Sequence, residues 1–373
     1  MQDQVQSPET PKVEQPQASY SVSPGLPGWC ATQGLSIAVT SYQSGKFYLL
    51  GRNPETGGLM VNERIFQKAM GLATPGPGTI LLATLFQITR FENVLDDNQI
   101  ANGKFDGLFV PRVLHTTGVL DAHDVGLLAD GRVVFVNTSF NCLATVSDRH
   151  SFDEYWRPSF VSALVQEDRC HLNGLAMGEA GTQDEGRPRY VTACSRSDTI
   201  DGWRDRRKDG GVVIDVDSGK VVCSGLSMPH SPRLHQGRLY VLNSGTGELG
   251  RIDTDAAPDK AFNPIKFLPG FARGLSFHGN HAIVGLSKPR HERFEGLELD
   301  HRLTETDSEA WCGVQVIDLN SRKVDHWFRI DGQVTELYDT AIVAGPSCSM
   351  ALGFASTEIL NLITHGGGTT GAA

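Results

Sequence analysis

The apolar residues of this chain fall in short runs broken by turn residues, and no long helical period stands out. Residues 121–137 (DAHDVGLLADGRVVFVN) set the pattern: a polar cluster, an apolar run, Ala129-Asp130-Gly131, then a second run of β-branched and aromatic residues. Branched and aromatic side chains fit the pleated, half-buried surface of a strand, and Asp-Gly suits a tight hairpin, so the stretch predicts two antiparallel strands. The pattern returns at His171 (HLNGLA), at His230 (HSPRL, then GRLYVLN from Gly237) and at Ala272 (ARGLSF, then HAIVGL from His281). A later strand-turn-strand unit repeats as well, IDVDSGKVV from Ile214 being matched by VIDLNSRKV from Val316.

Aligned in phase, the repeats start at Met70, His123, His171, His230, Arg273 and Glu336, between 43 and 63 residues apart. Spacings of this size, filled with short strands, predict radial four-stranded sheets: an all-β, six-bladed β-propeller, with seven blades as the alternative. The last repeat runs out of strands after residues 341–344, while apolar runs at 35–41 and 46–51 lack partners. These N-terminal strands are expected to complete the last blade and close the ring. Residues 1–27, rich in Gln, Pro, Ser and Glu, predict a disordered tail, followed by one propeller domain over 28–364 and a flexible C-terminal tail over 365–373.

Composition narrows the partners. A net charge of −10 argues against nucleic acid, which is bound through basic patches that release counterions. No window approaches the roughly 18 apolar residues of a membrane span. The seven cysteines include no C-x-x-C pair, so buried thiols are expected instead of a disulfide framework or a zinc knuckle. Without a basic start and apolar core at the N-terminus, the expected setting is cytoplasmic.

The repeat phase also points to chemistry. The first strand of each propeller blade lines the central channel, so equivalent positions of successive repeats converge near the axis. His123, His171 and His230, from three consecutive repeats, are therefore the candidate ligands of a divalent transition metal: zinc or iron, with copper third. Asp121, Asp124, Asn173 and Ser231 lie beside them in sequence and are expected to orient their rings. Arg273 is the candidate clamp for a substrate anion, Glu336 the candidate general base or a further ligand, and Tyr338 and Asp339 are reserves for proton transfer. Taken singly, a histidine is more often a hydrogen-bonded structural residue, and His150, His235 and His291 read as loop residues. The charged loop that holds Trp203 and Arg204 reads as a solvated turn between strands, with a place at the channel rim as the alternative. GTGELG at 245–250 has the letters of a dinucleotide fingerprint but precedes a strand, so it reads as a hairpin turn.

The segments HDVG, HLNGLA, PHSPRLHQGRLYVLNSGTGEL and GFARGLSFHGNHAIVGLSKPR resemble an uncharacterised bacterial family of six-bladed β-propellers along nearly the whole chain after the tail. The architecture is also similar to that of peptidylglycine amidating lyase, a six-bladed propeller whose zinc is held by three histidines beside a catalytic arginine. That resemblance implies His123, His171 and His230 as ligands and Arg273 as the arginine. Gluconolactonase-like propellers hold calcium through Glu, Asn and Asp, a pattern from which these histidines depart. The expected function is a metal-dependent lyase, hydrolase or oxygenase acting on a small molecule or peptide. A non-catalytic propeller that binds a protein partner is the alternative.

Overall fold

In the computed structural model, residues 18–289 and 293–366 are described. Six sheets, antiparallel apart from one edge strand, stand around a channel. Blade 1 comprises Leu72–Gly76, Thr79–Ala83, Gln87–Asn93 and Gly107–Thr116; blade 2, Ala122–Leu127, Val133–Asn137, Cys142–Thr145 and Asp153–Trp156. Blade 3 comprises Leu172–Met177, Pro188–Ala193, Gly211–Asp215 and Val221–Leu226; blade 4, Pro229–His235, Arg238–Asn243, Glu248–Ile252 and Phe262–Phe267. Blade 5 comprises Phe271–His278, His281–Ser287, Cys312–Asp318 and Val324–Asp331. In each the first strand is innermost and packs against the first strand of the next blade.

Blade 6 closes the ring from both ends of the chain. Its inner strand is Thr340–Ala344, and Leu35–Ser41, Lys46–Arg52 and Leu59–Ile65 follow outward, with Ile37 opposite Ile342 and Leu50 opposite Ile37. The expected six blades and N-terminal closure are thus present, and the seven-bladed alternative is not. Leu35–Ser41 is buried at every position because a blade lies on each side of it, which is why its sequence reads as a continuous apolar run. Apolar clusters fill the spaces between blades: Phe47 and Leu49 of blade 6 meet Leu82 and Phe91 of blade 1.

Two fifth strands were not anticipated. Ser349–Ala351 pairs in parallel with Gly107–Thr116 at the edge of blade 1, and Ser19–Val22 pairs with Val324–Asp331 at the edge of blade 5. Ser19–Val22 and the start of the helix Leu26–Gln33 lie inside the stretch expected to be a disordered tail through residue 27, so order begins earlier than composition suggested. Edge pairing covers the open hydrogen-bonding groups of an outer strand, an incentive that composition does not reveal. The rest of that tail, residues 1–17, the end of the C-terminal tail, residues 367–373, and His291 lie outside the described residues. All seven cysteines are buried and free. Among the described residues no helix is long and apolar enough to cross a membrane.

Two arms rise over the end of the channel where the inner strands begin. One, between Pro188–Ala193 and Gly211–Asp215, carries Trp203; the other, between His281–Ser287 and Cys312–Asp318, carries Phe294 and the helix Glu298–Glu305. Trp203, Phe294, Leu299 and Leu303 pack with Met228 and Phe271 into one apolar cluster. Arg302 fastens the helix to blade 4, pairing with Glu248 at 2.8 Å and donating to the Thr246 carbonyl at 2.9 Å.

Candidate functional site

Under these arms lies a cavity of about 640 Å³ at the channel mouth. Met70, His123, His171, Arg273 and Glu336, five of the six residues that begin the repeats, line it. His230, the sixth, is 3% exposed and packs edge-on to the lining residue Phe271, with ring centroids 5.8 Å apart. Tyr338 lines the cavity too, as do Trp203 and Arg204, so the loop read as a solvated turn instead reaches the channel rim, the alternative place for it.

The histidine rings are held in defined roles. His123 and His171 stand edge to face, centroids 5.0 Å apart. The Nδ1 of His123 lies 2.7 Å from the carbonyl oxygen of Asp121, which can only accept, so this nitrogen carries the proton. The Nδ1 of His171 lies 2.6 Å from a carboxylate oxygen of Asp168, with the same consequence. In the neutral ring each Nε2 then keeps its lone pair. His171 is further fixed by Trp203, stacked at 4.2 Å, and His123 by Tyr338 at 5.5 Å. Burial, reinforced by the His171 ring and by Arg273, holds the pKa of His123 well below the ordinary histidine value. Burial does the same for His230, with Arg273, His171 and His123 adding to it.

Arg273 is set among aromatic faces, its guanidinium carbon 4.9 Å from the Phe271 ring, 5.4 Å from Tyr338 and 6.0 Å from Tyr42. Its Nη1 is 3.6 Å from Glu336, a looser contact than a hydrogen bond. Five polar atoms in this neighbourhood are buried without a hydrogen-bond partner: Asp168 Oδ1, Trp203 Nε1, His230 Nε2, Arg273 Nε and Tyr338 Oη. Leaving such an atom without a partner costs about 1–3 kcal/mol. Burial also raises the Tyr338 phenol well above its usual pKa, keeping its proton on the oxygen.

The residues expected to orient the histidines divide. Asp121 does so through its backbone carbonyl, while its carboxylate pairs with Lys68. Asp124 instead accepts from Arg233 Nη1 at 2.7 Å and from the amides of Val125 and Leu175. Asn173 accepts from Thr192 and donates toward the Cys194 thiol, and Ser231 accepts from the Gly274 amide. The polar contacts of these three run to the channel wall.

Sequence reasoning missed Asp168, Lys68, Met228 and Phe271, all of which line the cavity. The signal was available: each lies two or three residues ahead of a repeat start, at the entry to a blade, Phe271 as the first residue of its strand and the other three on the turn before it. That turn has a recurring form, for Lys68, Asp121 and Met228 all sit at left-handed φ, 54°, 51° and 46°. Non-glycine residues adopt this conformation at a cost, and three of them together mark the entry turns as fixed architecture.

The donor chemistry fits a divalent transition ion, with His123 and His230 held neutral by burial and an unpartnered His230 Nε2. The spacing is open. Among the described residues the group of three ligand-type side chains with atoms all within 4.8 Å is His281, Asp318 and Asp325 on blade 5, not the channel histidines. With metal–nitrogen bonds near 2 Å, the rings would have to draw together by side-chain rotation to share one ion.

Solved structures resemble this chain over most of its length. A chain of the nidogen/laminin complex superposes with a TM-score of 0.50 at 12% identity, covering 84% of this chain and 99% of that one. A protein of unknown function from Bacteroides caccae gives 0.48 at 10% identity over 83% and 98%. Virginiamycin B lyase from Staphylococcus aureus gives 0.38 at 10% identity over 84% and 99%. No curated protein matches the sequence. A family model does, across residues 24–352, and the chain belongs to that family, described as a domain of unknown function, DUF4915.

Proposed function

We propose that the channel mouth is the active site of an enzyme acting on a small molecule or peptide with an anionic group, and that His123, His171 and His230 hold a divalent transition metal there, zinc or iron before copper. The observation that carries this reading is the gathering of five unpartnered buried polar atoms around histidines kept neutral by burial. Bound at three imidazoles, such an ion supplies a Lewis acid and acidifies a water, chemistry common to lyases, hydrolases and oxygenases.

The chain's own residues do the rest. Arg273, always charged and loosely held by Glu336, takes the substrate anion with its fork of donors. Glu336, 3% exposed, moves a proton as general base, and the Tyr338 hydroxyl donates one hydrogen bond. Asp168 and the Asp121 carbonyl keep the proton on Nδ1 and so aim the lone pair of Nε2. Trp203, Phe271 and Phe294 keep bulk water from the site.

Elemental analysis of protein purified anaerobically tests the metal. About one zinc or iron per chain is expected, with loss in the His123→Ala, His171→Ala, His230→Ala triple variant. Metal-free protein that cannot be loaded would overturn the metal assignment.

A further inference from the structure

A second cleft, of about 540 Å³, lies between blades 4 and 5. It sits on the opposite side of the propeller from the histidine cavity. Inner strands start at the histidine end and run through to the hairpins at the other, and the cleft is bordered by two of those hairpins, through Gln236 and Asn280.

The chain carries 43 acidic and 33 basic residues, yet this cleft is lined by three arginines, Arg238, Arg251 and Arg322, and by no carboxylate among the described residues. Amide side chains of Asn263, Asn280 and Asn320 add donors. Strand register fixes two of the arginines. Arg251 faces Tyr240 across the ladder, and Arg238 is two residues from Tyr240, so the two share a face as diagonal neighbours roughly 7–8 Å apart. Tyr240, 4% exposed and packed on Phe277 at 4.9 Å, makes a rigid floor beneath them. Arg322 comes from blade 5, on the turn between Cys312–Asp318 and Val324–Asp331. There Asp318 is committed to the turn itself, accepting from the Ser321 amide at 2.5 Å and from Asn280 at 2.8 Å.

Like charges gathered without a carboxylate repel, and an oxyanion between them relieves the repulsion. A guanidinium fork matches two oxygens of a phosphate or sulfate, and two forks on diagonal neighbours of one sheet face can bracket one such group from both sides. The third, across the cleft, reaches a second group. Ile265 and Leu319 leave an apolar strip for a carbon skeleton, and the volume falls in the range of small-ligand pockets. We propose that the cleft between blades 4 and 5 binds a small molecule carrying at least two phosphate or sulfate ester groups, held by Arg238, Arg251 and Arg322. This site is separate from the histidine cavity and stands whether or not that cavity holds a metal.

The test is calorimetric titration of the full chain at fixed ionic strength with two probes, sodium tripolyphosphate and sucrose octasulfate. Saturable binding at one site per chain is expected. In the combined Arg238→Gln, Arg251→Gln, Arg322→Gln variant it should weaken at least about tenfold, the weight of one lost charge-assisted contact or more. Arg132→Gln, which removes one charge from the hairpin of blade 2 on the same face, should change it by less than about twofold, as screening of a distant charge requires. Arg238→Gln and Arg322→Gln, both at exposed positions, give the same reading singly should the combined variant fold poorly. Tighter binding of one probe assigns phosphate or sulfate as the natural group. Failure of both probes to saturate, or equal loss in Arg132→Gln, would overturn the proposal.

Discussion

Two polar clusters share the channel, and they are built on opposite principles. At the mouth, His230, Arg273, Tyr338, Trp203 and Asp168 each keep a buried atom without a partner. Further in, Arg233 bridges two aspartates, with Nη1 2.7 Å from Asp124 and Nη2 3.5 Å from Asp339. Asp124 also accepts from the amides of Val125 and Leu175, and Asp339 from those of Leu72 and Thr340. One guanidinium and two carboxylates thus tie the inner strands of blades 1, 2, 3, 4 and 6. The saturated cluster is a pin for the ring; the unsaturated one has capacity left for a ligand. Burial alone does not separate them, since both hold polar atoms out of solvent; the completeness of their hydrogen bonding does.

The comparison breaks most visibly at the pin. Arg233→Met leaves two buried carboxylates uncompensated, and removing one partner of a buried ion pair costs about 3–5 kcal/mol. Urea unfolding should register that loss, and a cost below about 1 kcal/mol, the value of an exposed pair, would deny the pin its structural role.

A smaller effect comes from pH. His123 and His230 have pKa values held below the ordinary histidine value in the folded chain, so between the folded and unfolded values the unfolded state binds more protons. Their contribution to stability is complete above about pH 6.5 and is lost as pH falls below it, by at most about 1.4 kcal/mol per pH unit for each ring. Burial raises the Asp339 carboxyl, which tilts stability the other way, so the measurement is a difference between wild type and a His123→Asn, His230→Asn variant. The variant should lack the acid-side loss between pH 6.5 and 5. Parallel curves would mean that the histidines are not held neutral.

The smallest effect has the opposite sign from most core substitutions. Tyr338→Phe deletes an unpartnered buried hydroxyl, and removing that penalty should raise stability by about 1 kcal/mol while lowering activity. A loss of stability would show that the hydroxyl has a partner in solution.

Much of this was legible in the sequence because a propeller converts equal phase into proximity. Met70, His123, His171, Arg273 and Glu336 stand at the same step of their repeats, and they line one cavity. The pin was not legible. Arg233 lies three residues past His230, and its partners are 109 and 106 residues away, a pairing that strand pattern does not encode. Asp124, beside His123 in sequence, was read as serving its neighbour, but a strand turns successive side chains to opposite faces, and its carboxylate goes to Arg233. The arm bearing Trp203 is a long connection between the second and third strands of blade 3, and its stacking on His171 rests on tertiary packing. The edge strand Ser19–Val22 was hidden by its length, four residues among a polar tail.

The most direct test is calorimetric titration of zinc into apo protein, compared across three variants. One equivalent should bind to wild type and to Arg233→Met, because the pin holds no ligand. His281→Ala should retain it too, since the blade 5 group lies away from the channel, and the His123→Ala, His171→Ala, His230→Ala variant should lose it. Binding that survives the triple variant, or vanishes with His281→Ala, would contradict a metal site at the channel mouth.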